Sequence, residues 1–522
     1  MNTESNPLFN AASITLRGEL PKGDPRIWAH SVTDLVAGFI RDDKTGQILD
    51  ANGVSLQKEQ VEVAIASLKE AGVLPGEVVI IESYNDLNAV AYILGTWLMG
   101  CAVCPMDPDT PAEVKAVIAR ESGARVRVQA DASIIRNPDV QKKPEIIQLR
   151  RPKRITGSDL ALFIFTSGSS GAPKGVILSH QNVMSALRSI SRYLKLRSDD
   201  RILCVPPLFF DYGLYQLLLT IFNECSLILN GKQNSAVMLL KMIEQTQPTV
   251  LPVVPALAAG LARMFGVVGK TSAQVRLITN TGGHLTESTI QALGTAFPDA
   301  RIVPMYGLTE SKRALFLDTD LYPGRITSVG QAMPALEAVV MIEPDDGGTP
   351  REALPHEVGE LYVRGSSVMQ GYHRVDSASG VRLLAGNYRD DNWLATGDLF
   401  ARDEDGLFYF RGRSKTLIKQ GGYCISPRDI EILSETHEQI IAARVVGRNE
   451  ENGDESAILF VQLPHSPDKE TKKKIIADLK VMIHKTLMPR EVHFIDEWPA
   501  TPNGKIDAKA LVEMAKNPKG TA

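Results

Sequence analysis

A glycine- and hydroxyl-rich run at residues 166–175, TSGSSGAPKG, constrains the fold of this chain more than any other stretch. An apolar segment of strand length, residues 160–165, precedes it, and a second apolar segment, residues 176–178, follows it. Glycine lets backbone N–H groups turn toward an anion, hydroxyl groups add donors, and Lys174 adds a mobile positive charge. The run therefore predicts a phosphate-binding loop between strands rather than a flexible linker, with a helix start at residues 179–182.

The glycine-rich run does not have the spacing of a Walker A loop, which requires G-x-x-x-x-G-K-[ST]. Counting from Gly168, the sixth position holds Pro173, and the residue after Lys174 is Gly175. The sequence therefore argues against a P-loop nucleotide triphosphatase.

Length and charge narrow the class of protein. A chain of 522 residues exceeds one compact core, so at least two domains are expected. The net charge of −4 gives no sign of a nucleic-acid surface.

The N-terminus lacks the basic and apolar regions of a signal peptide. Residues 87–106 are uncharged and long enough to span a bilayer, but their Gly and Pro content favours a buried helix followed by a short strand. We expect no membrane span and a cytoplasmic location.

The five cysteines do not form a recognisable framework. Their odd number argues against a set of disulfides. Cys101 and Cys104 have the spacing of half a zinc or redox site, but no second pair of ligands accompanies them. We interpret them as buried thiols, which fits the reducing cytoplasm.

The order of apolar patterns predicts an α/β fold. Helical and strand-like segments alternate over residues 31–150 and again over residues 201–279, which is typical of layered, largely parallel sheets. Among them we predict a helix over residues 112–122, a helix over residues 214–222 and a strand over residues 226–229. From about Gly359 short strands with frequent turns predict a β-rich subdomain, and the last hundred residues read as a β and α mixture. We therefore expect a large N-terminal domain, residues 1–411, and a small mobile α+β C-terminal domain, residues 412–522.

The run TSGSSGAPKG resembles the signature loop of the adenylate-forming superfamily, which comprises acyl-CoA synthetases, amino-acid adenylation domains and luciferases. The resemblance implies that Thr166, Ser167, Gly168 and Lys174 bind the phosphates of ATP. Four further segments in the same order resemble other motifs of the superfamily, and together they extend from about residue 160 to residue 510.

The second segment is MYGLTE at residues 305–310. A Tyr can stack on an aromatic base, while Thr and Glu suit a phosphate and its metal ion. The resemblance to the motif Y-G-x-T-E implies that Tyr306 stacks on adenine with Gly307 beside it, that Thr309 contacts a phosphate, and that Glu310 binds Mg²⁺. Upstream, TGGH at residues 281–284 resembles the glycine pair beside the nucleotide and the acyl group, which adds Gly282, Gly283 and His284 to the predicted site.

The third and fourth segments supply the predicted ribose contacts and the hinge. A carboxylate at Asp398, in ATGDL, can accept hydrogen bonds from two ribose hydroxyls. In RGRSKTLIKQGGY, at residues 411–423, the resemblance implies that Arg413 contacts ribose and Lys415 is the pivot between domains. It also implies that Lys419 acts in the thioester-forming orientation and that a pantetheine arm passes Gly421 and Gly422.

The fifth segment is TPNGKID at residues 501–507. Its Asn-Gly pair favours a tight turn, which would present Lys505 at a loop tip. The resemblance implies that this lysine enters the active site during adenylation. Adenylation brings a carboxylate to the α-phosphate of ATP, and a positioned cation lowers the repulsion between these two anions.

The segment PLFFDYG at residues 207–213 bears on the acid that is activated. We expect Phe210, Asp211, Gly282 and Gly283 to contact it. The context of Asp211 resembles amino-acid adenylation domains, whose Asp pairs with the substrate ammonium, although Lys312 or Arg313 could supply that partner instead. A buried carboxylate is costly unless it is paired.

The predicted activity is that of an ATP-dependent, AMP-forming ligase that requires Mg²⁺. It would activate a carboxylic acid, with an amino or imino acid favoured, and pass it to the phosphopantetheine thiol of CoA or of a separate holo-carrier protein. The alternatives are an acyl- or aryl-CoA synthetase for a non-amino acid, a luciferase-like oxygenase, and a non-catalytic nucleotide-binding relative.

Overall fold

The computed structural model of the protein describes residues 25–44, 47–137, 155–167, 173–231, 235–343, 350–373, 382–385, 391–420, 423–450, 455–501 and 505–516. Helices and strands alternate as far as the strand Arg301–Tyr306, strands dominate from there to Arg413, and a mixed region follows. This is the mixed α/β architecture, with a large N-terminal and a small C-terminal part, that the sequence predicts.

A seven-stranded sheet contains the strands on both sides of the glycine-rich run. Its order is Gly371–His373, Pro173–Ser179, Leu160–Ser167, Ala102–Met106, Val78–Glu82, Val126–Val128 and Ile134–Arg136. Four central strands are parallel, whereas Leu160–Ser167 pairs antiparallel with Pro173–Ser179, so that Thr166 lies opposite Lys174. The helix Lys58–Glu70 precedes its first strand in the chain, and the helices Leu87–Leu98 and Ala112–Ser122 lie between its strands. This pairing places the side chains of Thr166 and Lys174 at one end of the sheet.

An eight-stranded sheet carries the second half of the α/β region. Its order is Ile48–Leu49, Ser226–Leu229, Arg201–Cys204, Val250–Val253, Leu277–Asn280, Arg301–Tyr306, Leu315–Phe316 and Gln331–Ala332, and it is parallel as far as Arg301–Tyr306. The helices that accompany it are Asp211–Asn223, Ala236–Thr246, Pro255–Val268 and Glu287–Ala296. Ligands of open α/β sheets bind outside the carboxyl ends of the strands. Residues 281–284 and 307–313 follow two such ends.

The helix His180–Leu194 begins where the sequence predicts a helix start. Ser179 is its N-cap, and the Ser179 and Asn182 side chains form a reciprocal capping box. Its apolar face, including Val183, Leu187 and Ile190, is completely buried or nearly so. The helix therefore fixes the C-terminal end of the strand that carries Lys174.

The β-rich region forms a six-stranded antiparallel sheet. Its strands are Arg351–Glu352, Leu336–Ile342, Gly359–Gly365, Asn392–Arg402 and Arg382–Ala385, and Phe408–Arg413 pairs with Asn392–Arg402. The sheet begins earlier than the predicted start at Gly359, because Leu336–Ile342 pairs along its length with Gly359–Gly365. Asp398 lies inside a strand, opposite Arg413, and not in a turn.

The C-terminal part has sheets and a core of its own. Ile418–Gln420 pairs with Tyr423–Ile425, and a three-stranded sheet contains Ala442–Asn449, Glu455–Gln462 and Glu491–Ile495. The helices are Pro427–Glu435, Lys469–Met482 and Ala508–Lys516, and Ser414–Thr416 forms a 3-10 turn. Two apolar clusters consist only of residues from Ile418 onward. The exact division at residues 411 and 412 stays a prediction.

The uncharged segment at residues 87–106 forms two elements, as the sequence predicts. Asp86 caps the helix Leu87–Leu98, and the strand Ala102–Met106 follows within the seven-stranded sheet. Within the described residues, no helix has the length and apolar character needed to cross a membrane. The four cysteines whose side chains the structure describes, Cys101, Cys104, Cys204 and Cys225, are buried thiols.

Candidate active site

One cavity of about 410 Å³ lies where the two α/β sheets, the β-rich sheet and the C-terminal part meet. The predicted site residues that line it are Thr166, Lys174, Phe210, Asp211, Gly282, Gly307, Thr309, Glu310, Asp398, Arg413, Lys415 and Lys505. Other lining residues are Thr281, Leu308, Lys312, Arg313, Tyr372, Thr396, Gly397 and Thr416. Residues up to 339 positions apart in the chain, Thr166 and Lys505, therefore share one cavity.

Cations gather at the end of the cavity next to the glycine-rich run. The side chain of Lys174 is 9% exposed, and burial lowers its pKa, with the nearby Lys415 lowering it further. Glu310 partly opposes this shift. Two close cations with one carboxylate leave an excess of positive charge, which suits a polyphosphate.

The carboxylate of Glu310 is buried beside a tyrosine. Tyr372 donates its hydroxyl to Glu310 Oε1 at 2.5 Å, and this bond restrains the rise in the pKa of Glu310 that burial causes. The described residues contain no group of three or more His, Cys, Asp or Glu side chains that could enclose a metal ion. Mg²⁺ is commonly bound by one or two carboxylates together with substrate phosphates and water, and Glu310 fits that arrangement.

Asp398 joins the β-rich sheet to the motif at residues 305–310. Tyr306 donates its hydroxyl to Asp398 Oδ2 at 2.6 Å, and Arg413 Nε lies 2.9 Å from Asp398 Oδ1. Burial raises the pKa of Asp398, while Arg413 opposes the rise. The Tyr306 ring meets the Phe400 ring edge-on, with centroids 4.8 Å apart. Each carboxylate oxygen can accept a second bond, so Asp398 can still bind ligand hydroxyls.

The side chain of Lys505 extends from the C-terminal part into the cavity. Its ammonium lies 5.1 Å from the centroid of the Phe210 ring, and its Cε passes close to Gly282. Burial lowers the pKa of Lys505, and Asp211 opposes this effect. The structure thus holds Lys505 in the cavity that Lys174 and Glu310 also line.

Lys419, the other predicted catalytic lysine, is exposed and does not line the cavity. It lies on the strand Ile418–Gln420, where its backbone N–H donates to Glu455 Oε2 at 2.7 Å. Lys415, three residues before that strand, does line the cavity. In this arrangement of the chain, Lys505 and not Lys419 lies in the cavity.

Asp211 forms a buried ion pair at the wall of the cavity. Its Oδ2 lies 2.9 Å from Lys312 Nζ, and the two side chains are 8% and 1% exposed. Although burial opposes ionisation, Lys312 and Arg313 lower the pKa of Asp211. Asp211 is also the first residue of the helix Asp211–Asn223, where the helix dipole favours an anion. Of the two partners that the sequence leaves open for Asp211, a substrate amine or a neighbouring cation, the structure shows the cation.

A tight reversal after the strand Arg301–Tyr306 brings Lys312 and Arg313 to the cavity. A Cβ at Gly307 would stand 2.3 Å from the carbonyl oxygen of Lys312, so only glycine fits there. The backbone N–H of Ala314 then donates to the carbonyl of Tyr306 at 2.9 Å. Lys312 itself has a φ of 66°, a conformation that is uncommon for residues other than glycine.

The remaining predicted residues lie beside the cavity or outside the described residues. Gly283 packs against Pro255. Burial lowers the pKa of His284 well below its ordinary value, and the charges of Arg428 and Arg444 of the C-terminal part lower it further. Ser167 ends the strand Leu160–Ser167. Gly168, Gly421 and Gly422 lie outside the described residues.

Sequence reasoning did not find Tyr372 as a member of the site. Its partner Glu310 is 62 residues away in the chain, and Tyr372 reaches it because Gly371–His373 pairs with Pro173–Ser179. Such a contact leaves no local pattern. Lys312 and Arg313, in contrast, were visible in the sequence as two cations directly after Glu310.

The fold and the cavity define an adenylate-forming enzyme, and comparisons with known proteins agree. A family model described as "AMP-binding enzyme" matches residues 57–373, and one described as "AMP-binding enzyme C-terminal domain" matches residues 429–505. The chain therefore belongs to the family of AMP-binding enzymes: it is an ATP-binding, AMP-forming ligase.

Individual relatives are distant but extend over most of the chain. A 4-coumarate–CoA ligase of Pinus taeda is 27% identical over 478 residues, which cover 85% of this chain and 86% of the relative. The anthranilate CoA ligase AuaEII in complex with anthranoyl-AMP has a TM-score of 0.78 at 20% identity, over 94% of this chain and 98% of that one. ATP-bound MatB from Rhodopseudomonas palustris has a TM-score of 0.76 at 22% identity, over 93% and 99%. The two structures show the same fold.

Proposed function

We propose that this protein is an acid–CoA ligase that activates a carboxylic acid without an amine as its acyl-adenylate and then forms the CoA thioester. The observation that carries this proposal is the position of Lys505, whose side chain enters from the C-terminal part the cavity that Lys174, Glu310 and Asp398 line. The first half-reaction needs a mobile cation at such a position, between two anionic reactants.

In the first half-reaction a carboxylate oxygen of the acid attacks the α-phosphorus of ATP. The bond from that phosphorus to the bridging oxygen breaks, and pyrophosphate leaves with both electrons. Lys505 would hold the attacking carboxylate and the α-phosphate together, and its ammonium would offset the growing charge on the phosphate oxygens. Phe210 and Gly282 would border the reacting carboxylate.

Other residues would hold the nucleotide. Thr166, Ser167, Gly168, Lys174 and Thr309 would bind phosphate oxygens. Asp398 and Arg413 would contact the ribose, and Tyr306 would stack on adenine beside Gly307, Gly283 and His284. Glu310 would hold Mg²⁺, which neutralises phosphate charge when it is bound.

In the second half-reaction a thiol attacks the acyl carbon and AMP leaves. The bond between the acyl carbon and the phosphate oxygen of AMP breaks, and the thiol proton passes to solvent. We propose that the C-terminal part turns about Lys415, withdraws Lys505 and brings Lys419 toward the cavity, while Gly421 and Gly422 border the pantetheine arm. The named relative from Pinus taeda is a CoA ligase, which favours CoA over a holo-carrier protein as the acceptor.

The internal partner of Asp211 favours an acid without an amine. An amino-acid substrate would need Asp211 for its ammonium, yet Lys312 already lies 2.9 Å from that carboxylate. Bringing a third cation next to Lys312 and Arg313 would add repulsion in a buried site. An amino or imino acid remains the second candidate, and activation of amino acids would show it.

ATP–pyrophosphate exchange with panels of simple, aromatic, dicarboxylic and amino acids tests the proposal, followed by trapping of thioester with CoA or a holo-carrier protein. We expect exchange with a non-amino acid and transfer to CoA. Lys505→Ala should lower exchange at least 100-fold but spare thioester formation from synthetic acyl-adenylate. Lys419→Ala should show the opposite pattern. Normal exchange in Lys505→Ala would overturn the assigned role.

A further inference from the structure

Around Asp211, where we propose that the acid binds, the cavity holds more positive than negative charge. Asp211, Lys312 and Arg313 all line it, and Asp211 pairs with Lys312. Within the part of the chain that the structure describes, no carboxylate lies within 4 Å of the Arg313 guanidinium, although its side chain is only 4% exposed. Charged side chains are rarely buried to this degree without a partner. With Lys312 protonated, the site therefore has one buried cation in excess.

The guanidinium of Arg313 is held in place, but one of its hydrogen-bond donors has no partner among the described residues. Its Nη1 donates to the carbonyl of Lys312 at 3.1 Å, and its Cζ lies 4.7 Å from the centroid of the Tyr212 ring. The hydroxyl of Tyr212 is anchored at 2.8 Å to the carbonyl of Thr279. The Nε of Arg313 is buried and has no hydrogen-bond partner within the described residues. A planar fork with free donors matches the geometry of a carboxylate.

The backbone at Lys312 is strained, and in this conformation both Lys312 and Arg313 line the cavity. Lys312 adopts a φ of 66°, in the left-handed region that disfavours residues with a Cβ. Its ammonium lies between Asp211 and the Tyr215 ring, 4.1 Å from the ring centroid. Strained residues that the surroundings hold in place are concentrated at ligand sites. In its protonated form the lysine neutralises Asp211 and leaves Arg313 available.

We propose that Arg313 recognises a second anionic group on the acid, so that the substrate class is an acid with a carboxylate, or a comparable anion, in addition to the carboxylate that is adenylated. This inference rests on the proposed ligase function and narrows it. A neutral acyl chain would leave the guanidinium without a counter-charge, and an amine-bearing acid would bring a further cation. A second carboxylate supplies the missing negative charge.

Matched acids test this proposal on the full-length protein. Each diacid (succinate, glutarate, adipate and phthalate) is compared with its monomethyl ester and with the monoacid of equal chain length, in ATP–pyrophosphate exchange. We expect kcat/KM for at least one diacid to exceed that for its ester 100-fold or more, since a site built around a polar group rejects analogues without it. In Arg313→Met that ratio should fall below about five-fold.

Further variants separate loss of recognition from loss of folding. Arg313→Lys keeps the charge but loses the planar guanidinium, and it should give an intermediate diacid-to-ester ratio of kcat/KM. Arg263→Met, on an exposed helix face, should keep the wild-type ratio. ATP affinity of Arg313→Met, measured by calorimetry, should match that of the wild type.

The outcomes distinguish the two proposals. Exchange with no acid of any class would overturn the ligase function. Efficient exchange with monoacids or esters, unchanged in Arg313→Met, would overturn only the assignment of a second anion. If ATP binding is lost in Arg313→Met, the diacid-to-ester ratio of Arg313→Lys decides: an unchanged ratio overturns the role of Arg313, and a reduced ratio supports it.

Discussion

The Cε atom of Lys505 lies 3.0 Å from the point where a Cβ on Gly282 would stand. Gly282 also has a φ of 83°, which a residue with a Cβ adopts only under strain. The side chain of Lys505 therefore passes over residue 282, where any residue larger than glycine would displace it. This contact joins two motifs that are more than 220 residues apart in the chain.

Gly282→Ala should impair adenylation selectively. The added methyl group would displace the Lys505 side chain, so we expect ATP–pyrophosphate exchange to fall at least ten-fold. Thioester formation from synthetic acyl-adenylate should fall less, since that step does not use Lys505 in the proposed mechanism. Gly294→Ala is the matched control, because a Cβ at this helical glycine meets no atom within 4 Å. Equal losses in both half-reactions would count against a specific clash with Lys505.

Replacement of Asp398 should weaken ATP binding. Asp398→Asn keeps an oxygen for the Tyr306 hydroxyl but loses the charge that pairs with Arg413, as well as one acceptor for ribose hydroxyls. We expect KM for ATP to rise about ten-fold, equivalent to about 1.4 kcal/mol. Asp405→Asn, which removes an exposed partner of Arg325, is the control. An unchanged KM for ATP in Asp398→Asn would contradict the ribose assignment.

The sequence predicted those parts of the fold that local patterns determine. The helix Ala112–Ser122 and the strand Ser226–Leu229 were predicted with the bounds that the structure shows, because apolar periodicity and Gly or Pro boundaries specify them. The helix predicted for residues 214–222 begins instead at Asp211. Its residues are buried on every side, so no polar face marks its first turn.

Some contacts of the site join residues that are far apart in the chain, and the sequence does not predict them. The motifs placed Glu310, Asp398 and Lys505 in one predicted site, and the structure brings them to one cavity. Tyr372 joins Glu310 only through strand pairing, and no pattern near either residue indicates it. The partner of Asp211 stayed open at the level of sequence, because the backbone reversal at Gly307 that directs Lys312 toward Asp211 is not readable from residue types alone.

The ion pair between Asp211 and Lys312 should show an asymmetric effect on stability. Asp211→Asn leaves Lys312 buried beside Arg313, and we expect the free energy of unfolding to fall by about 3 kcal/mol. Lys312→Met should cost less, about 1–2 kcal/mol, because Asp211 keeps Arg313 and the helix N-terminus.

Urea denaturation of the two single variants and the double variant measures this effect. The double variant should recover part of the stability lost in Asp211→Asn, since it removes the buried charge of Lys312 while that of Arg313 stays buried. Glu244→Gln, which removes an exposed partner of Lys270, should change stability by a few tenths of a kcal/mol at most. Equal costs for both single variants, with no recovery in the double variant, would argue against the pair as described.

The buried position of Lys312 should make stability depend on pH above neutrality. Burial lowers the pKa of Lys312 from 10.5 to about 7, with Asp211 opposing the shift. Between these two values the unfolded chain binds more protons than the folded chain, so the free energy of unfolding of the wild type should rise with pH from 7 to 9. The contribution is at most about 1.4 kcal/mol per pH unit and is absent in Lys312→Met. Urea midpoints of both proteins at several pH values, with exposed Lys270→Met as control, measure it. If the wild type and Lys312→Met show parallel pH profiles, Lys312 keeps its proton throughout this range.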